Sequence, residues 1–435
     1  MKLSRGLTLL LLLAAAALAH AQRDDLLRII IEKGLDSALP IAIVPFEAGE
    51  AAVPLDVAAV IAADLARSGR FAPMPVEDLP SRPSEFSQIR FGDWRLYGMN
   101  NLVIGRIQTL PSGEFDIQFR LVDVYSGKQL VGFRVPSTPG NLRLTAHQIS
   151  DIIYEKLTGE RGAFATNVAY VTVERGPGDA KLFKLHLADA DGYNARTLLE
   201  SAEPLLSPAW SPDGRRIAYV SFEDKNSAVY VQDIETGRRE RVAGGIGINS
   251  APAWSPDAGR LAMTRSKDGN PEIYVFDLRT RVFRRLTNDP AIDTEPVWSS
   301  DGRSIAFTSD RGGGPQIYSI DLLGGDVRRL TFGIGDYAAR ARFSPDGRSI
   351  AFVYGGERGY QIALLDLETR GFRVLTDARL DESPSFAPNG SMIIYTTMGA
   401  RGTELAATSV DGRVRQRLTQ RGGEVREPAW GPFRN

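Results

Sequence analysis

A chain of 435 residues is longer than one ordinary hydrophobic core supports, so two or more domains are expected. Its 52 Lys and Arg nearly balance 53 Asp and Glu, for a net charge of -1, which argues against nucleic acid or an anionic membrane surface as partner. The hydrophobic fraction of 43% excludes a disordered or collagenous chain, and the absence of cysteine removes disulfides and thiolate metal sites.

The N-terminus carries Lys2 and Arg5, an apolar run from Leu7 to Ala19, and then Ala19-His20-Ala21. This is the pattern of a secretory signal peptide cleaved after Ala21. The run falls short of the roughly 20 residues that span a bilayer. No second long apolar run follows, so a soluble protein of a bacterial periplasm, without membrane insertion, is expected. Next comes "RDDLLRIIIEKG" (residues 23–34), which is strand-like but has no evident place in the domain after it. Such a segment can add to a partner's sheet edge or fold back on its own protein.

Residues 35–161 read as a small α/β domain. "PIAIVPF" (40–46) is a buried strand, and "DVAAVIAADLARSG" (56–69) is an amphipathic helix with Asp56 as N-cap and Gly69 just past its end. Three alternating segments follow, with turns at Ser112-Gly113 and Ser126-Gly127. A second helix over 141–159 ends in Gly.

Beyond residue 161 the chain repeats itself. The aromatic of a repeated unit falls at Trp210, Trp254, Trp298, Phe343, Phe386 and Trp430, with spacings of 44, 44, 45, 43 and 44, and in all but the last a Ser-Pro-Asp-Gly-like turn follows it. A fixed period in this range signals a repeat architecture. Each period holds four strand-like pieces, as in "PVWSSDGRSIAFTSDRGGGPQIYSIDLLGGDVRRLT" (296–331), which is one propeller blade. The aromatic reads as a wedge between blades. The second turn, Asp257-Ala258-Gly259, reads as carrying an extra residue, and another is Asn389-Gly390. The last "PAW" strand ends the chain without a partner, while the first blade, at "NVAYVTV" (167–173), lacks its opening strand. The two together close a six-bladed ring over 162–435. The fold class is therefore an N-terminal α/β domain followed by an all-β six-bladed propeller closed by the C-terminal strand.

Catalytic patterns are weak. Past the leader there are two histidines, His147 and His186, in different domains, and neither has a second histidine beside it. No metal or cofactor is expected, and His147 reads as a structural hydrogen-bonding residue. "DADG" (189–192) fails as an EF-hand because Leu187 would be the first ligand, so it reads as a turn. "GRSIA" at Gly302 and Gly347 imitates a nucleophile elbow but ends in Ala and sits in the repeated hairpin. A stronger signal precedes each "PxW" strand, where loops from five blades converge on one channel mouth. Asp293, Glu295, Asp381, Glu382 and Glu427 make it acidic, and Arg340 and Arg426 interrupt it. Clustered carboxylates there suit a docking surface, and a hard cation is the alternative.

A leader, a small α/β domain and a propeller with "WSPDG" units together resemble the TolB family, periplasmic subunits of the Tol–Pal envelope system. "PIAIVPF", "IAADLARSGRF" and "LRLTAHQISDIIYEKLTGERGAFATNVAYV" look like segments of that family in the same order. "WSPDG" alone also marks propellers of prolyl-oligopeptidase-like enzymes; "AHQISDIIYEKLTGERGAF" joined to a propeller is specific.

The resemblance implies a non-enzymatic protein that docks the lipoprotein Pal at the channel mouth and TolA through its N-terminal segment. It further implies roles in outer-membrane integrity and constriction at division, a monomer within a multiprotein complex, and, in some members, capture by bacteriocins. Carried over, the Pal-facing positions are Ser250, Ala251, Thr294, Glu295, Tyr337, Arg340, Glu382 and Glu427. The TolA-facing positions are Arg23, Asp24, Asp25, Leu26, Leu27, Arg28, Ile29 and Ile30, within a segment over 22–34. A propeller-gated peptidase would need a larger hydrolase domain than the stretch before residue 161 provides. A carbohydrate-binding propeller would show more mouth aromatics than Tyr337.

Overall fold

The computed structural model describes residues 27–33, 38–49, 52–176, 178, 180–400, 402–420 and 423–434. The leader expected over 1–21, and Arg23, Asp24, Asp25 and Leu26 after it, lie outside the described residues.

Among the described residues, seven strands precede the propeller: β1 (Leu27–Lys33), β2 (Leu39–Ile43), β3 (Glu47–Ala48), β4 (Phe71–Pro73), β5 (Asn101–Thr109), β6 (Phe115–Asp123) and β7 (Lys128–Ser137). Six of them form one mixed sheet in the order β4-β2-β5-β6-β7, with β3 beside β5. The parallel pairing of β2 with β4 needs a crossover, which helix α1 (Val57–Arg67) supplies. Asp56 caps that helix, its Oδ1 accepting from the Ala59 amide at 3.0 Å. Two more helices complete the domain, α2 (Phe91–Leu96) and α3 (Leu142–Thr158), the latter ending at Gly159 in the left-handed conformation. Strand alternation sends Val103 and Ile107 of β5 into the core under α1 and α3, and Leu102 and Ile104 into a second core around Trp94.

The rest of the chain forms six antiparallel blades. Their innermost strands are Glu424–Trp430, Leu205–Trp210, Asn249–Trp254, Asp293–Trp298, Tyr337–Phe343 and Asp381–Phe386 for blades one to six. The C-terminal strand closes the ring: Trp430 pairs opposite Val168 and Glu424 opposite Val173. The wedge residues also stitch the seams through hydrogen bonds. The indole of Trp254 donates to Ala209 O at 3.0 Å, that of Trp298 to Ala253 O at 3.2 Å, and that of Trp210 to Ala429 O at 3.0 Å. Trp254 and Trp298 are buried, and Trp210 and Trp430 are half-buried.

The Ser-Pro-Asp-Gly stretch is a turn held by its serine. Ser211 Oγ accepts from the Arg216 amide at 2.9 Å, and Asp213 Oδ1 accepts from the Arg215 amide at 3.0 Å. The same bonds recur around Ser255, Ser299 and Ser344. In the second such turn there is no extra residue. Ala258 takes the place of Gly214, its amide donating to Ser255 O as that of Gly214 does to Ser211 O, and it adopts φ +56°. Gly259 then stands where Arg215 does.

The segment left without a place in the α/β sheet joins the other domain. β1 pairs antiparallel with Arg415–Gln420, with Leu27 opposite Gln420 and Ile31 opposite Gln416, as a fifth strand on blade six. It covers an edge that would otherwise expose unpaired backbone groups.

Candidate functional site

Each innermost strand breaks its regular pairing at one equivalent place. Ser207, Ala251, Glu295, Arg340, Ser383 and Glu427 have φ between 49° and 56°, left-handed values that cost a non-glycine residue about 1–2 kcal/mol. At each, the register against the second strand slips, for example between Thr294 and Val297 and between Ala339 and Arg342. These are β-bulges, which re-aim a side chain locally. Six of them at one period ring one mouth of the channel, and the Ser-Pro-Asp-Gly turns lie at the other end of the same strands.

Four of these side chains meet. Arg340 Nε donates to Glu295 Oε1 at 2.9 Å, and its Nη1 donates to Ser383 Oγ at 2.6 Å and Glu427 Oε1 at 3.3 Å. The Arg340 amide donates to Glu295 Oε2 at 3.1 Å, which also accepts from Thr308 Oγ1 at 3.0 Å. One guanidinium thus ties blades four, five, six and one. Burial alone would lower the Arg340 pKa; the charges of Glu427, Glu295 and Glu382 more than reverse this and raise it. Deeper in the same strand, Arg342 occupies a position held elsewhere by Ala209, Ala253, Val297, Ser385 and Ala429. Its Nη1 donates to Ala341 O at 2.9 Å, and burial lowers its pKa.

Of the other expected mouth residues, Thr294 meets Thr264 hydroxyl to hydroxyl at 3.2 Å, and Tyr337 packs edge-on against Tyr360 at 5.0 Å. Ser250, Ala251 and Glu382 lie half-buried on the same strands.

Two of the expected acids do not belong to the mouth. Asp293 and Asp381 are 0% exposed. They stand two residues before the bulge, where alternation turns the side chain into the blade. Asp293 accepts two hydrogen bonds from Arg311 Nη2, at 2.9 and 2.7 Å, and burial pushes the pKa of both aspartates up. Arg426 is exposed and paired with Glu424. The mouth is therefore a mixed cluster around Arg340 and not an open acidic patch. Reading the sequence missed Ser383 and Ser207; the signal was available as the residue before each "PxW" or "PxF".

A second polar cluster lies at the domain seam. His147, on α3 and 1% exposed, places Nδ1 2.7 Å from Asp64 Oδ2 and Nε2 3.4 Å from Asp191 Oδ2. Asp64 belongs to α1, whereas Asp191 sits in the "DADG" turn of blade one, which the sequence marked only as a turn. Arg143 reaches the same Asp191 oxygen through Nε at 3.0 Å, and Arg67 Nη2 lies 3.1 Å from Asp64 Oδ1. Burial would lower the imidazole pKa, but the Asp64 charge, the Asp191 carboxylate near Nε2 and the hydrogen bond to Asp64 raise it to about 9. Among the described residues, Asp64, His147 and Asp191 are the one group close enough to share a metal ion. Arg143 and Arg67 set positive charge against the two carboxylates, which disfavours a further cation there. The group is an ionic latch between domains.

Two family models match the chain. One described as the TolB amino-terminal domain covers residues 27–130, and one described as the TolB beta propeller domain covers residues 154–434. A Tol-Pal system protein TolB from Nitrosococcus oceani is 61% identical over 406 residues, covering 93% of each chain. Another from Thioalkalivibrio sulfidiphilus is 59% identical over 410 residues, covering 94% of each. The crystal structure of TolB from Acinetobacter baumannii superposes with a TM-score of 0.87 at 42% identity, over 93% of this chain and 100% of that one.

Proposed function

The chain belongs to the TolB family of the Tol–Pal system, and from that premise we propose that it is a non-enzymatic periplasmic scaffold with two docking sites. As a Tol–Pal system protein it works in a multiprotein assembly. The bulge-ringed mouth takes the lipoprotein Pal, through Ser250, Ala251, Thr294, Glu295, Tyr337, Arg340, Glu382 and Glu427. The segment over 22–34 takes TolA. Together the two contacts couple the inner membrane, peptidoglycan and outer membrane, maintaining outer-membrane integrity and supporting constriction at division.

The observation that carries this reading is the ring of six left-handed positions. Strain of that kind persists only where the surroundings over-determine it, and it concentrates at functional sites. The ring presents side chains from every blade to one incoming surface and leaves the blade cores untouched. No helix among the described residues is long and apolar enough to cross a membrane.

Glu382 gives the cleanest test, because it is half-buried and makes no ion pair within 4 Å among the described residues. Glu382→Lys is expected to weaken calorimetric affinity for the soluble domain of Pal at least several-fold. Its melting midpoint should fall only slightly, since Arg340 keeps its ion pairs with Glu295 and Glu427. Unchanged affinity moves the docking site off the mouth.

For TolA, β1 already lends one edge to blade six, so exchange between that edge and a partner's sheet is the natural route of transfer. Deleting residues 22–33 should abolish TolA binding and leave Pal affinity within a few-fold. Loss of both contradicts separate sites.

A further inference from the structure

The α/β sheet carries apolar side chains on both faces, and the two faces are covered unequally. Helices α1 and α3 roof the first core. The core around Trp94 has only the six-residue α2 and the stretch leading to it. There Pro73, Pro75, Pro80 and Pro83 lack amide donors, and the chain makes no more than two single 3₁₀ turns, Val76–Asp78 and Phe86–Gln88. Beside β4 that second core comes to the surface in a groove of about 650 Å³. Met74, Leu79 and Met99 pack in the core and also line the groove, together with Tyr97. The same segments hold four exposed large apolar side chains: Leu39 (37%), Val76 (42%), Tyr97 (53%) and Leu96 (87%). Apolar surface gathered in this way marks an interaction site.

Charge at the groove is one-sided. Glu77 and Asp78 line it, both exposed and neither in an ion pair among the described residues, and no Lys or Arg lines it. The occupant must therefore be apolar and cationic together. A second copy of the chain docked groove to groove would bring these acids against their own likes, and an anionic lipid surface would be repelled. An added strand fits poorly too. Arg70 O and the Met74 amide bond to β2, so Phe71 and Pro73 turn to the open edge of β4, and proline brings no N–H. An amphipathic helix meets the requirement through side chains alone, with apolar and cationic residues on adjoining faces.

We propose that this groove docks an amphipathic helix of a partner protein, its apolar face on Met74, Met99 and Tyr97 and a lysine or arginine at its flank against Glu77 and Asp78. The site is separate from the two docking sites above, since none of its lining residues belongs to the mouth or to the segment over 22–34.

The test uses the protein spanning residues 22–435 with ¹³C-methyl methionine. It gives five resonances, of which Met74 and Met99 report the groove and Met263, Met392 and Met398 report the propeller. The probe is an N-acetylated helical peptide of about 15 residues, built from Leu, Ala and Lys with its leucines on one face. Saturable shifts of Met74 and Met99 are expected, with the propeller methyls, exposed Met398 included, unmoved. Glu77→Lys/Asp78→Lys should weaken binding about tenfold or more, and Tyr97→Ser, at an exposed wall residue, several-fold. A peptide with Glu for every Lys, and one of the same composition with its leucines scattered, should bind far more weakly. Equal binding of either control, affinity unchanged in both variants, shifts at all five methyls, or no saturable shift overturns the proposal. Met74 and Met99 shifts that grow with protein concentration alone also overturn it, by showing that a second copy covers the groove.

Discussion

The two histidines of a chain beginning at Gln22 should titrate at opposite ends of the pH scale, and a single experiment reads both. His147 faces Asp64 and Arg67 from α1, Asp151 one turn further along its own helix, and Asp191 and Arg143 at the seam. Its pKa is raised to about 9. His186, buried in blade one between Thr172 and Thr197 and stacked on Tyr170, has no carboxylate in contact; burial lowers its pKa to about 4. Against an unfolded value near 6.5, the His147 shift corresponds to about 3 kcal/mol of stabilisation. The sign follows from a raised pKa: the contribution is whole below about pH 6.5 and is lost as pH climbs through 9. The depressed pKa of His186 acts at the other end, costing stability as pH falls from about 6.5 towards 4. Protein labelled with ¹³C at the histidine Cε1 gives two resonances to follow between pH 4 and 10. One should move only near pH 9 and the other only near pH 4. Asp64→Asn should bring the first down by more than one pH unit and leave the second in place. A His147 resonance that titrates between pH 6 and 7, or one indifferent to Asp64→Asn, refutes the latch.

Two further expectations concern the propeller. Ala258 holds the left-handed place that Gly214 and Gly302 fill in other turns, so Ala258→Gly should stabilise the protein by about 1 kcal/mol. A lowered melting midpoint contradicts the strain argument. At the mouth, Arg340→Met leaves Glu295 and Glu427 without their shared cation and should cost about 2 kcal/mol, less than a fully buried pair because the side chain is partly exposed. Adding Glu295→Gln should recover part of that loss in a double-mutant cycle; strictly additive losses show that the two residues are not coupled.

The helix over 57–67 and its Asp56 cap, the six blades and the closing strand were all legible beforehand. Each rests on local chemistry: an Asx cap, a serine-held turn, an aromatic at a fixed interval. The candidate site was legible in part. The stretch before each "PxW" was found, but all of its acids were assigned one direction. A bulge breaks the two-residue alternation, so Glu295 and Glu427 meet Arg340 whereas Asp293 and Asp381 point into the blades. Nothing in the order of residues announces a positive φ at a glutamate.

The sequence by itself determined the number of blades, the ring closure and the turn chemistry, because these repeat and depend on neighbours a few residues apart. The tertiary structure decided the rest. It set Asp191 of a propeller turn against His147 of a helix, placed β1 on blade six and opened a groove beside Met74. Such contacts join residues far apart in the chain, and for β1 they run through backbone groups that every residue shares. Composition and spacing carry no record of which edge or charge will be near enough to pair.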